Sequence, residues 1–560
     1  MKVIVAEKPN VARKIAQIFD NIKQIKFRNI SYFQNSEITI ISAVGHLYGL
    51  DSDKPGFPVF DIKWKPYYEI SKDMEYTKDY VDLAKSIKPN EVIIATDFDI
   101  EGSLIGYNLV RFALNKAKNI YRMKFSSIVP KELMKAYNNL IEFDYNNAIA
   151  GETRHILDWY YGINLSRALM DALKKAGAKN VLSIGRVQGP TLSLVLNREI
   201  SIINFKPEEY FSIQLEIEDV VFKHPKAFKS KLEAEAYIKQ LPDKISIREE
   251  KTQEKVVFTP LDLTTLLTEA YRIHKISPNE TMKISQKLYE DGLISYPRTS
   301  SQKYPQNLPI DSILKNLKIH KEYSSKLIGN YTVHQGKKDD PAHPAIYPTG
   351  FYRELDEKSF KIYDLIVRRF LAALSKPLVI EKTKLYAGEF IATGEKIVEK
   401  GGYEIYPYVN IEKELPKFDE NEYSFQVKTK KSKTQPPHRY NEASLIKELE
   451  KRELGTKATR PIIINTLFNR SYFIKKKSQI VPTQLGFAIK EILDEYLPEI
   501  TSEDLTREIE KKLELLQEGK ISKEEILEQN KEIISEIIEK FMKREDEIGK
   551  KLLEKIKKIT

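Results

Sequence analysis

Gly292-Leu293-Ile294-Ser295-Tyr296-Pro297-Arg298-Thr299 follows a helix whose limits are written in the sequence. Ser277 is placed to act as N-cap, Pro278 suits the first helical position, and Glu280 stands three residues past the cap, as in a capping box. Met282, Ile284 and Leu288 carry an apolar face forward, and Asp291-Gly292 ends the helix with a residue that accepts a left-handed conformation. Leu293 to Ser295 then predicts a short strand, which Pro297 keeps from being a central one. Residues two apart in an extended segment share a face, so Tyr296 and Arg298 point the same way. A phenol is a nucleophile, and a guanidinium is a fork that clamps phosphate through two hydrogen bonds. The plainer reading is a core tyrosine, one of 31 in the chain, beside a surface arginine. The rest of the sequence decides between them.

Toward the N-terminus, Lys2 to Val5 predicts a buried strand. Glu7-Lys8-Pro9 turns it into a helix with Val11, Ile15 and Ile18 on its apolar side. Glu7 and Lys8 thus sit at a strand's C-terminal end beside a helix N-terminus, where open α/β sheets place ligands. A second buried strand, Glu91 to Ala95, runs into Thr96-Asp97-Phe98-Asp99-Ile100-Glu101-Gly102. Three carboxylates at alternate positions are either a solvated loop or a Mg²⁺ site, since a hard cation takes oxygen ligands. If the two strands lie in one parallel sheet, Glu7 joins them. His46 stands between Gly45 and Gly49 in a turn where backbone can approach a ligand closely, or is simply a satisfied turn histidine.

After about residue 145 the pattern is helical, and Arg154 and Asp158 share a helix face as an ordinary ion pair would. Ser183-Ile184-Gly185-Arg186-Val187-Gln188-Gly189 combines amides, hydroxyl and guanidinium suited to phosphate ahead of another helix. Residues 206–258 alternate in β fashion, as do 378–432, which predicts a β-rich domain interrupted by the insertion 259–377. That insertion carries Tyr296 and a proline-stiffened loop presenting His343, a residue suited to phosphate contact or proton transfer. Beyond the basic run 428–433, a helix capped by Asn441, a second helix after Gly455-Thr456-Lys457-Ala458-Thr459-Arg460, and a hairpin over 472–481 predict a winged helix. The arrangement around Tyr296 predicts another. Gly455-Thr456-Lys457 fails as a P-loop, because the lysine is one place late and Glu450 occupies the first glycine position. No ATP site is evident. The remainder to Thr560 reads as amphipathic, mixed-charge, solvated helix.

A chain of 560 residues exceeds one core, and about three or four domains are expected. Apolar residues at 41% and charged residues at 31% fit a globular protein with no membrane span, and a cytoplasmic location is the expectation. The absence of cysteine excludes disulfides, thiol catalysis and cysteine-built zinc modules from this chain. A formal charge of +11 favours a polyanionic partner.

Taken in order, these motifs resemble the type IA DNA topoisomerases, with Gly455 to Arg460 similar to the topoisomerase III-type and archaeal branch. The resemblance implies a toroid that is multidomain α/β plus α+β. An N-terminal Toprim α/β domain would span 1–150 and a winged-helix-like DNA-binding domain 151–205 with 433–560. A β-rich arch would span 206–258 with 378–432, and the nucleophile domain 259–377. It implies that Tyr296 attacks one DNA strand to give a 5′-phosphotyrosine, with Arg298, Lys8, Glu7 and His343 assisting. Asp97, Asp99 and Glu101, with Glu7, would hold Mg²⁺, with neither ATP nor zinc. His46, Arg154, Asp158, Ser183, Gly185, Arg186, Val187, Gln188, Lys457 and Arg460 would contact DNA. The implied partner is single-stranded or negatively supercoiled DNA, with room for a helicase, in the nucleoid. Gly189, where Ser or Thr is usual, and Tyr347, where several members have Arg, depart from the pattern. Without zinc modules, a weaker grip and less processive relaxation are expected. The competing readings are the topoisomerase subunit of a split reverse gyrase, which typically has His where Pro297 stands, a Toprim nuclease, and a basic winged-helix DNA-binding protein.

Overall fold

The computed structural model describes residues 1–557 other than 116 and 420. The N-terminal part is a seven-stranded sheet. Its order is Lys23–Phe27, Ile30–Gln34, Ile38–Ser42, Lys2–Ala6, Glu91–Ala95, Asn119–Arg122 and Ile141–Glu142. Lys2–Ala6 pairs in parallel with Ile38–Ser42 and Glu91–Ala95, and Ala6 stands opposite Ala95. Val3, Ile4 and Val5 are fully buried, as a strand covered on both faces requires. Because the register aligns the two strand ends, Glu7 and Asp97 leave the sheet side by side.

One face of this sheet, through Ile4 and Ile93, shares a single core with Leu261, Leu293, Ile294 and Tyr296 of the inserted segment. The other face packs Val3, Val5 and Ile94 against Val81 and Leu109 of flanking helices. The sheet is therefore the floor on which the Tyr296 segment rests.

That segment begins with helices Leu263–His274 and Pro278–Glu290. Ser277 caps the second as expected, and Gly292 takes φ +82° just beyond it. The capping box is only half formed, because the Glu280 carboxylate turns to Lys358, 2.6 Å away. The strand expected over Leu293 to Ser295 shrinks to one bridge, Ile294 to Pro348. Its hydrogen bonds go elsewhere: Ser295 N–H donates to Tyr347 O, and Tyr296 N–H to Ser126 O of the N-terminal domain at 2.7 Å. The winged hairpin expected around Tyr296 therefore does not form. The one expected further on does, as Phe473–Lys476 against Gln479–Pro482.

A second seven-stranded sheet is built from both predicted β stretches. Ile245–Val256 pairs with Leu378–Ala387, and Glu209–Ile217 with Gln426–Lys433. The basic run is thus an exposed strand of that sheet.

The C-terminal residues depart most from expectation. They are not a solvated helical end but the wall around the 31-residue helix Tyr145–Lys175. Ile526, Ile534, Ile537, Phe541, Ile548 and Leu552 are buried, and the Tyr161 hydroxyl donates to Asn530 Oδ1 at 2.8 Å. The long helix buries residues on every side, so a single neighbouring layer would leave apolar surface wet.

Candidate active site

The acidic loop is shaped by its last residue. A Cβ on Gly102 would lie 2.0 Å from Asp97 O, so only glycine allows the chain to fold back this tightly. Asp99 caps the helix Ile100–Phe112, its Oδ1 accepting from Gly102 N–H at 2.8 Å. Glu7 Oε2 accepts from Asp97 N–H at 3.1 Å, which ties the two strand ends together. Beneath them Arg122 is fully buried, donating to Ile94 O, Thr96 O and Oγ1, and Asp97 O. Burial, then the charges of neighbouring carboxylates, push the acids of Glu7 and Asp97 up. Glu7, Asp97 and Asp99 offer carboxylate oxygens, the ligand type that Mg²⁺ takes, with Arg122 and Arg298 as cationic neighbours.

Tyr296 is 1% exposed, and its hydroxyl donates to Asp99 Oδ2 at 2.5 Å. Its ring lies edge-on to Tyr289, with centroids 5.2 Å apart, and 4.2 Å from the His343 ring. Gln286 Nε2 reaches Asp97 Oδ2 at 3.3 Å from the same segment. Burial, then Asp99 and Asp97, push the Tyr296 phenol well above 10. Arg298 faces the same carboxylates; burial opposes its charge, but Tyr296 and the acids raise its pKa. Burial brings His343 down to about 4, so this imidazole is neutral near pH 7. Arg298 Nε and His343 Nε2 are buried with no hydrogen-bond partner. Buried donors without partners beside a phenol suit the non-bridging oxygens of a phosphate.

Glu101, expected among the metal ligands, is engaged differently. Its Oε2 meets His46 Nε2 at 3.0 Å and His155 Nε2 at 2.9 Å. Burial works against its charge, but His155 and His46 hold its carboxyl well below the usual range.

A gorge of about 1110 Å³ runs from Glu7, Lys8 and Arg298 past His46, Arg154 and Asp158 to Lys457 and Arg460. Arg154 and Asp158 do not pair with each other. Arg154 bonds Glu510 at 2.7 Å, while Asp158 accepts from Arg186 at 3.2 Å. Arg186 is buried between Asp158 and Glu510 and so orders the gorge wall. Gly185, Val187 and Gln188 line a smaller adjoining cavity of about 240 Å³. Ser183 N–H is held by the Tyr472 hydroxyl, Lys457 pairs with Asp340, and Arg460 donates to Leu454 O. Sequence reading missed Arg122, Gln286, Tyr289, His155, Asp340 and Glu510. An arginine at the end of a short strand, as Arg122 closes Asn119–Arg122, was the one local signal among them.

A tyrosine docked on carboxylates at the ends of central strands, beside a gorge lined by both cationic and acidic side chains, fits an enzyme acting on polynucleotide phosphodiesters. The family described as DNA topoisomerase matches residues 142–528, and the Toprim domain matches 2–128. DNA topoisomerase 1 of Pyrococcus horikoshii is 43% identical over 98% of this chain and 85% of that protein. DNA topoisomerase 1 of Methanocaldococcus jannaschii is 41% identical over 98% and 75%. Full-length topoisomerase I of Thermotoga maritima superposes with TM-score 0.76 at 27% identity, over 96% of this chain and 90% of that one. The chain belongs to the type IA DNA topoisomerases, isomerases that cleave a single strand, and shares their toroidal fold. The reverse gyrase alternative is not favoured.

Proposed function

We propose that Tyr296 opens and recloses one DNA strand by in-line exchange at phosphorus, relaxing negative supercoils or decatenating without ATP. The observation carrying this is the Tyr296 hydroxyl on Asp99 Oδ2, which joins the insertion's phenol to the N-terminal sheet's carboxylates. As the Tyr296 oxygen bonds to phosphorus, its proton passes to Asp99. The bond from phosphorus to the 3′-oxygen breaks, and Glu7, whose acid burial pushes up, supplies that oxygen's proton. The products are a 5′-phosphotyrosine and a free 3′-OH, and the reverse transfers restore strand and enzyme. Arg298 Nε and His343 Nε2 donate to the non-bridging oxygens as charge develops there, with Lys8 alongside. Glu7, Asp97 and Asp99 would hold Mg²⁺, which supplies positive charge for orienting the 3′-OH during rejoining. His46, Arg154, Lys457 and Arg460 line the path of the strand, while Asp158, Arg186 and the 183–188 segment shape its wall.

Residues 259–377 move as the gate, the arch 206–258 with 378–432 is the hinge, and 1–150 and 151–205 with 433–560 form the base. Because Tyr296 is buried, this gate must shift before a strand reaches it. Among the described residues no helix is long and apolar enough to cross a membrane. The working partner is single-stranded or underwound DNA in the nucleoid, with a helicase as one source of single strands. Relaxation of negatively supercoiled plasmid with Mg²⁺ and no ATP tests the reading. A ladder of topoisomers, lost on Arg298→Ala, is expected; free nicked or linear product from both proteins would make the chain a nuclease.

A further inference from the structure

His46, Glu101 and His155 reach one point from three elements. His46 follows the Gly45 turn, where φ is +94°, Glu101 lies in the first turn of Ile100–Phe112, and His155 is on the helix Tyr145–Lys175. We propose that these residues form a second divalent-metal site, suited to a Zn²⁺- or Co²⁺-like ion rather than Mg²⁺, opening on the gorge.

Three observations carry this. Both Nε2 atoms converge on the same oxygen, Glu101 Oε2, from 3.0 and 2.9 Å, and all three donor atoms lie within 4.8 Å of one another. Ligands about 2.0–2.1 Å from a common zinc stand roughly 2.9–3.4 Å apart, so an ion enters with little side-chain movement. The side chains of His46, His155 and Glu101 are 22%, 29% and 34% exposed, which leaves a route from solvent.

The donor chemistry separates this site from the one beside Tyr296. Imidazole nitrogen suits zinc, cobalt and nickel, whereas Mg²⁺ takes oxygen ligands and keeps its waters. Two histidines and one carboxylate also leave coordination positions open, unlike a closed structural zinc site. Those positions face the gorge beside Arg154 and Asp158, where a strand phosphate or a water completes the shell. An ion held there commits Glu101 to the histidines and adds positive charge along the strand's path, away from the phenol.

The test is titration of the metal-free full chain with Co²⁺, followed by its visible absorption, and with Cu²⁺, followed by electron paramagnetic resonance. With a large excess of Mg²⁺ present to fill the carboxylate site, one Co²⁺ per chain is expected to remain bound and to be displaced by equimolar Zn²⁺. Binding should persist in Asp97→Asn and weaken roughly tenfold or more in His46→Gln and in His155→Gln, with circular dichroism confirming that each variant is folded. The Cu²⁺ spectrum of the unaltered chain should show coupling to two nitrogens, a readout that needs no variant. Lack of stoichiometric binding, a spectrum without nitrogen coupling, or Co²⁺ binding lost in Asp97→Asn but kept in His155→Gln would each overturn the proposal.

Discussion

Tyr296 lies under Asp99 with burial and two carboxylates raising its pKa, so the phenol keeps its proton until a phosphate and Arg298 offset those charges. In the proposed mechanism the guanidinium contributes its planar fork as well as its charge, because it meets two phosphate oxygens at once. Arg298→Lys is therefore expected to slow cleavage of a single-stranded oligonucleotide by roughly 100-fold, the scale of losing one oxyanion donor. Unchanged cleavage would remove Arg298 from the chemistry. His343 gives a pH prediction. Its folded pKa of about 4 lies below its ordinary value of 6.5, so between these limits the unfolded chain binds the extra proton. Stability is then fully present above about pH 6.5 and falls as pH drops toward 4, by up to roughly 3 kcal/mol for this group. Denaturant unfolding across that window should show a shallower pH slope in His343→Gln; an identical slope would contradict the assignment.

At the scale of elements, glycine positions explain two features that motif spacing leaves open. Gly102 is where the acidic loop folds onto Asp97 O. Gly189, where a hydroxyl residue was the expectation, lies against Pro498–Thr501 so closely that a Cβ would stand 2.1 Å from Ile500 O. The departure is thus steric, a consequence of how the helix Gln188–Ile203 meets the C-terminal helices. Gly189→Thr should destabilise the protein by about 1–3 kcal/mol, read as a lowered melting temperature. A gain in stability would mean the contact is misplaced. The strands Lys2–Ala6 and Glu91–Ala95, the Ser277 and Asn441 caps, and the nearness of Glu7 to Asp97 were all legible, because local periodicity and capping chemistry specify them. The partners of Glu101, the burial of Arg122 and the docking of Ile526 to Leu552 were not. Each depends on residues far apart in sequence, and an amphipathic helix reads alike whether its apolar face meets water or a neighbour.

Across the whole molecule, the Tyr296 segment is fastened to the rest by hydrogen bonds, among them those of Tyr296 to Asp99 and Ser126, and by ion pairs. Gln286 meets Asp97, Lys338 meets Glu450 at 2.9 Å, and Lys457 meets Asp340, over a shared apolar core. The ion pairs weaken with salt, as does any grip on DNA phosphates. With a formal charge of +11, relaxation should pass from processive to distributive between roughly 50 and 200 mM salt. Processivity indifferent to salt would place strand capture on contacts other than the gorge cations. The account as a whole rests on Tyr296 becoming covalently joined to DNA. Single-stranded oligonucleotides labelled at the 5′ or the 3′ end, incubated with the enzyme and with Tyr296→Phe and resolved under denaturing conditions, test this most directly. Retention of only the 3′-labelled fragment on the unaltered enzyme, and of neither on Tyr296→Phe, is the predicted result. Freely migrating cleaved fragments from both proteins, or an adduct that survives in Tyr296→Phe, would contradict it.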